Sequence, residues 1–99
     1  MFTIEYVEDI AKDLARLTAF RRKAILDAIE KNLQHEPNVE TRHRKQLPAL
    51  VPPWEHVPPV WELRIGEYRV FYDIQELEET VKVRAVRHKP PHKTTEEIL

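Results

Sequence analysis

Trp61-Glu62-Leu63-Arg64-Ile65-Gly66-Glu67-Tyr68-Arg69-Val70-Phe71-Tyr72 is the stretch whose reading decides the fold. Trp61, Leu63 and Ile65 alternate with Glu62 and Arg64; beyond Gly66-Glu67, Tyr68, Val70, Tyr72 and Ile74 alternate with Arg69, Phe71 and Asp73. Successive strand side chains point to opposite faces, so this period of two around a Gly-containing turn predicts a β-hairpin with one buried side. A further run, Thr80 to Val86, sets Val81, Val83 and Ala85 against Lys82 and Arg84, behind the acidic turn Glu76-Leu77-Glu78-Glu79, and predicts another strand.

Working toward the start of the chain, the period changes. Phe2-Thr3-Ile4-Glu5-Tyr6 alternates as a half-buried strand does. Val7, Ile10, Leu14 and Leu17 then share one helical face, with Glu8, Asp9 and Asp13 in the early turns where the helix dipole favours acid, and this helix is expected to end near Thr18. Ile25, Leu26, Ala28, Ile29 and Leu33 continue at helical spacing to His35, and Pro37 stops the second helix. Arg21, Arg22 and Lys23 stand at the end of that helix which its dipole disfavours for cations, and are read as solvated surface.

From Glu36 to Pro59 no period survives, and six prolines exclude a central strand or a long helix, so an ordered loop is expected, with Trp54 and Val57 folding back on the core. Its Arg42-His43-Arg44-Lys45 segment is the densest basic run in the chain, read with slightly more weight as solvated surface than as a contact. The order strand, helix, helix, strand, strand, strand (β-α-α-β-β-β) predicts an α+β domain: a small antiparallel sheet packed on an N-terminal helical hairpin. Each element has one apolar face and only the others to cover it. The opposite sheet face is expected to be exposed and to carry Arg64, Arg69, Lys82 and Arg84, a focused positive surface fit to hold a phosphate backbone.

The 99 residues leave room for one compact unit, 1–99, and exclude a multidomain enzyme. Apolar residues at 41% supply a core, and the absence of Cys excludes a disulfide scaffold, a Cys-based zinc site and a thiol nucleophile. Sixteen Lys and Arg against 17 Asp and Glu give a net charge of −1, without the global excess of a dedicated nucleic-acid binder. No apolar run approaches the roughly 18 residues of a membrane span, and Met1-Phe2-Thr3-Ile4-Glu5 lacks the basic start of a signal peptide; a cytoplasmic protein is expected. His88 and His92 have the i, i+4 spacing of a helical metal pair, but Pro90 and Pro91 oppose a helix there, so no metal site is assigned.

The Trp61–Tyr72 segment closely resembles the signature hairpin of RelE/ParE-superfamily toxins, the toxin halves of bacterial toxin-antitoxin pairs. The resemblance extends to Ile4-Glu5-Tyr6, the helical hairpin, Lys45-Gln46-Leu47, and Val83-Arg84-Ala85-Val86-Arg87-His88-Lys89, which is similar to the family's last strand and basic end. It implies a protein that stops growth unless its cognate antitoxin wraps it, and two activities of different kinds. RelE-like members cut messenger RNA on the ribosome; ParE-like members bind and poison DNA gyrase. An inactive or purely regulatory binding module is the third reading.

Metal-independent RNA cleavage needs a 2′-OH activated for attack, cations for the charge at phosphorus, and an acid for the leaving 5′-oxygen. The resemblance puts Arg69 at the family's phosphate-contacting Arg and Arg64 at a further basic position. Lys89 stands where RelE-like RNases carry a second Arg, and Glu62 where they tend to place a Lys. Their C-terminal Tyr has no counterpart, so His88 or His92 would carry the proton, as an imidazole near neutrality is able to do. Arg64, Arg69, Lys89, His88 and His92 are thus the candidate catalytic residues, with Lys45, Lys82 and Arg84 as RNA contacts, no cofactor and no metal. Messenger-RNA cleavage is favoured over gyrase poisoning on the strength of that cluster.

Overall fold

The computed structural model describes residues Met1–Leu99. Strand β1 (Thr3–Tyr6) leads into helix α1 (Ile10–Ala15) and helix α2 (Ala19–Leu33); strands β2 (Arg44–Leu47), β3 (Val60–Ile65), β4 (Tyr68–Gln75) and β5 (Thr80–His88) follow, and a 3₁₀ turn spans Glu96–Ile98. The five strands form one sheet in the order β1-β5-β4-β3-β2, antiparallel except where β1 runs parallel to β5. The α+β class and the helical hairpin on a mostly antiparallel sheet are as expected. Strand β2 is an addition within the expected loop, and it is an edge strand, the one kind its proline-rich surroundings tolerate. No helix is long and apolar enough to cross a membrane.

Local chemistry accounts for the elements. Thr18 caps α2, its Oγ1 accepting the Arg21 amide at 3.2 Å. Helix α1 ends earlier than expected, at Ala15, and Arg22 reaches back to carbonyls at and just beyond its C-terminal end: Nε donates to Leu14 O and Nη2 to Leu17 O, both at 3.0 Å. Arg22 is therefore a clamp on the helical hairpin and not solvated surface. Gly66, at φ 58°, turns β3 into β4 in the left-handed region that glycine enters without strain.

The helix-facing side of the sheet is the main core. Ile25, Ile29 and Leu33 of α2 and Ile10 of α1 pack on Trp61, Leu63, Val70, Tyr72, Val81, Val83 and Val86. Burying each such aliphatic side chain is worth about 1.5–3 kcal/mol, so this interface dominates stability. Tyr72 stacks on Trp61 with ring centroids 6.0 Å apart and donates its hydroxyl hydrogen to Pro37 O at 2.8 Å, pinning the loop behind α2.

The opposite face is not the exposed cationic surface the alternation suggests. Val60, Phe71 and Ala85 form a second buried cluster there, covered by Leu47, Leu50, Trp54, Ile98 and Leu99. Trp54 does fold back, its ring centroid 5.5 Å from that of Phe71. Ala85 joins this face, and not the Val81–Val83 side, because the β4–β5 register shifts: Tyr72 lies opposite Val83 but Phe71 opposite Ala85. The extra residue in β5 reverses the alternation beyond it.

Candidate functional site

The outer face of the sheet carries Arg64 on β3, Arg69 and Asp73 on β4, and Lys82 and Arg84 on β5. Arg64 and Arg69 are register partners and sit side by side, as expected. Their environments differ. Arg64 is exposed, whereas Arg69 retains only 7% of its accessible surface. The Arg69 Nη1 donates to Gly66 O and Tyr68 O, both at 2.9 Å, and Nε lies 3.8 Å from Glu62 Oε1 without a hydrogen-bond partner. Burial pulls the Arg69 guanidinium below its usual value, with Glu62 opposing the shift and Arg64 reinforcing it. Arginine remains charged throughout the ordinary pH range, so a buried cation is held by one buried acid and two carbonyls.

Glu62, itself 5% exposed, turns inward; its Oε2 accepts the Thr95 hydroxyl at 3.2 Å. The C-terminal segment thus lies against the very side chain that stands where RelE-like RNases tend to place a Lys. Arg84 is locked to Asp73, with Nε to Oδ2 at 2.9 Å and Nη2 to Oδ1 at 3.3 Å, and Asp73 Oδ2 also accepts the Val57 amide at 3.1 Å. Lys82 faces Glu5 at 3.8 Å. Lys82 and Arg84 are consequently paired within the fold.

One candidate proton carrier, His88, is separated from these cations. His88 pairs with Tyr68 across the β4–β5 ladder, and the two rings lie 5.1 Å apart on the side facing the helices, opposite Arg69. Its Nε2 is 3.0 Å from Glu67 Oε1. Lys89 follows the end of β5, its amide donating to Glu67 O at 2.6 Å, and His92 is exposed in the turn beyond. Arg64 and Arg69 come together; His88 does not join them.

Two residues that shape this region escaped the sequence reading of it. Asp13 Oδ2 accepts the Val86 amide at 2.9 Å and faces Arg87 Nη1 at 2.6 Å, tying α1 to β5 where β1 no longer pairs with it. Arg87 lies over the Trp54 ring, 5.2 Å from its centroid. The signal for Arg87 was an apolar residue on the supposedly wet face, Phe71, which demanded a cover in Trp54; for Asp13 the sequence offered none.

The edge formed by β2 and β3 differs. A polar cleft of about 430 Å³ is lined there by Arg42, His43, Lys45 and Arg64 among others, with no apolar residue. A second cavity, of about 610 Å³, shares His43 and Arg64 and extends to Lys31 on α2. None of Lys31, Arg42, Lys45 or Arg64 takes part in an ion pair. Arg42 and Lys45 of the basic run, with Arg64, therefore supply an open cationic edge, and Lys45 is the one of the three expected RNA contacts that belongs to it.

The family model for the ParE toxin of the type II toxin-antitoxin system parDE matches residues 4–89. The chain belongs to this ParE toxin family, within the RelE/ParE superfamily. Its fold is similar to that of the archaeal RelE–RelB complex from Pyrococcus horikoshii (TM-score 0.67, 19% identity, 94% of this chain and 98% of that one). It is similar also to the RelBE2 toxin-antitoxin complex of Mycobacterium tuberculosis (0.66, 24%, 89% and 98%) and to the isolated E. coli RelE toxin (0.65, 15%, 98% and 94%). No curated protein sequence matches it.

Proposed function

We propose that this toxin acts as ParE-like proteins do, by docking on DNA gyrase and poisoning it in the cytoplasm, held in check by a cognate antitoxin. The observation that carries this reading is the burial of Arg69 against Glu62 with His88 on the other side of the sheet. RNA cleavage requires cations and a proton carrier converging on one phosphate. A docking toxin requires only a stable surface, and the match to the ParE model supports that choice. The antitoxin partner is supported by the family and by the RelE–RelB complexes that share the fold.

Ribosome-dependent messenger-RNA cleavage is the second reading, favoured by the unpaired Lys45 and Arg64 at the open edge. In that case Arg64 and Lys89 would hold the phosphate and His92 would move the proton. Induction of the toxin in cells, with transcripts and DNA followed together, separates the two. Double-strand breaks and an SOS response on intact transcripts are expected; prompt transcript cleavage with intact DNA overturns the gyrase reading. Co-expression with the product of an adjacent short gene should yield a complex with a raised melting temperature, because a partner that binds only the folded chain stabilises it.

A further inference from the structure

We infer that the toxin docks on its target with the end of the molecule where α2 begins beside the β3–β4 turn. The surface centres on Phe20, Arg21, Tyr68 and His88, and it fits an acidic protein segment that carries an apolar side chain. This rests on the docking reading above, to which it adds a place on the toxin and a chemistry for the partner.

The side chains themselves are held in a row. The Arg21 guanidinium lies over the Tyr68 ring, 5.3 Å from its centroid. On the same ring the His88 imidazole is tilted at 5.1 Å between centroids, and its Nε2 lies 3.0 Å from Glu67 Oε1. Side chains ordered before a partner arrives lose less freedom on binding. Arg21 stands in the first turn of α2, where the helix dipole disfavours a cation. Its neighbours have internal duties: Arg22 clamps the helical hairpin, and Lys23 pairs with Asp27 at 2.9 Å. Arg21 has only the Tyr68 ring.

One residue earlier, on the same turn, Phe20 is 85% exposed and belongs to neither apolar cluster. Arg21 and Lys89, the residue after His88, enter no ion pair, while Glu67, the one acid in the row, is engaged by His88. The surplus charge is positive, so the complementary partner is acidic.

The surroundings favour a protein over other ligands. None of Phe20, Arg21, Tyr68 and His88 lines any of the five principal cavities, and a small molecule needs concavity. Two unpaired cations are few for tracking a phosphate backbone. An accessible aromatic residue beside an arginine stacked on a tyrosine is, in contrast, the composition found at the energetic centre of protein interfaces.

Purified toxin is immobilised and DNA gyrase is titrated over it, with melting temperatures recorded for every variant. F20A/R21A should melt with the parent, because both side chains are exposed, and should bind gyrase at least about tenfold more weakly. K12A/L77A, which removes an exposed cation and an exposed apolar residue elsewhere, should bind as the parent does. R21E should bind more weakly than R21A, and added salt should weaken the parent. F20Q/R21Q repeats the test should the alanine pair melt early. Undiminished gyrase binding by F20A/R21A, or R21E equal to R21A, would overturn the surface while leaving the gyrase reading intact. A parent that binds no gyrase removes that reading, and the surface with it. Loss of the co-expressed antitoxin by F20A/R21A with gyrase binding kept would also overturn it, assigning the row to the antitoxin.

Discussion

On the outer face of the sheet, the half built by β4 and β5 and the edge built by β2 and β3 hold the same kind of side chain to opposite ends. Arg69, Arg84 and Arg87 each meet a carboxylate from within the fold, namely Glu62, Asp73 and Asp13. Arg42, Lys45 and Arg64 meet none. The difference follows from cover: Trp54 and the C-terminal Ile98 and Leu99 enclose the first group, and a cation removed from water must have a partner. The second group stays wet and needs none. Arginines that look equivalent along the strands are thus structural in one half and available to a ligand in the other.

The largest expected effect lies in the paired half. Asp73, 1% exposed, holds both Arg84 and the Val57 amide, so Asp73→Ala leaves a buried guanidinium without its acid and frees the proline-rich loop. A loss of about 3–5 kcal/mol is expected in denaturant unfolding. A loss below about 1 kcal/mol, the range of surface pairs, would erase the distinction between the two halves.

Arg69→Ala comes next. It strands the buried Glu62 and removes two hydrogen bonds to carbonyls, which should cost about 2–3 kcal/mol by analogy with charged hydrogen bonds. The melting temperature must therefore accompany any toxicity assay of this variant, because lost toxicity would reflect lost structure. Unchanged melting would return Arg69 to the list of exposed, potentially catalytic cations.

Tyr72→Phe should cost about 0.5–1.5 kcal/mol through the hydrogen bond to Pro37 O. Burial raises the Tyr72 hydroxyl well above its ordinary value of 10.0. Above that ordinary value the unfolded chain releases this proton while the folded chain keeps it, so stability is intact below pH 10.0 and falls as pH rises beyond it. The variant should show a shallower alkaline decline than the parent in melting curves taken across that range; identical slopes would refute the assignment. The smallest effect on stability is expected from Arg64→Ala: about 0.5 kcal/mol or less, since an exposed strand residue without a partner leaves nothing stranded.

Much of the architecture was legible because it is written in local periods. The helix spacing of Ile25, Ile29 and Leu33, and the alternation around Gly66, report a single face per element. Strand β2 was not, since Arg44-Lys45-Gln46-Leu47 has no alternation and becomes a strand only by pairing with Leu63 to Val60. The side on which Arg64, Arg69, Lys82 and Arg84 lie was readable, and so was the exposure of Arg64, but the covering of Arg69 and Arg84 was not. The segments that cover Arg69 and Arg84 are a proline-rich loop and a short C-terminal turn, neither of which has a period to read. The exchange of Ala85 to the outer side depends on a register shift that no spacing announces. The basic run at 42–45 was visible, but that Arg44 would serve as an anchor and Arg42 as an open cation is a property of the tertiary turn.

The pairing of β1 with β5 bears on how the protein is made. Thr3 to Tyr6 enter the sheet only beside Thr80 to Val83, in the last of its five strands to be made. Until that strand emerges, β1 has no ladder to join, and closing so long a loop delays the step further. The β4–β5 pairing that sets Arg84 on Asp73 waits for the same strand. A nascent chain that has not yet reached Thr80 therefore lacks both the β1–β5 ladder and the Arg84–Asp73 pair, and the sheet closes only after its four other strands have been made.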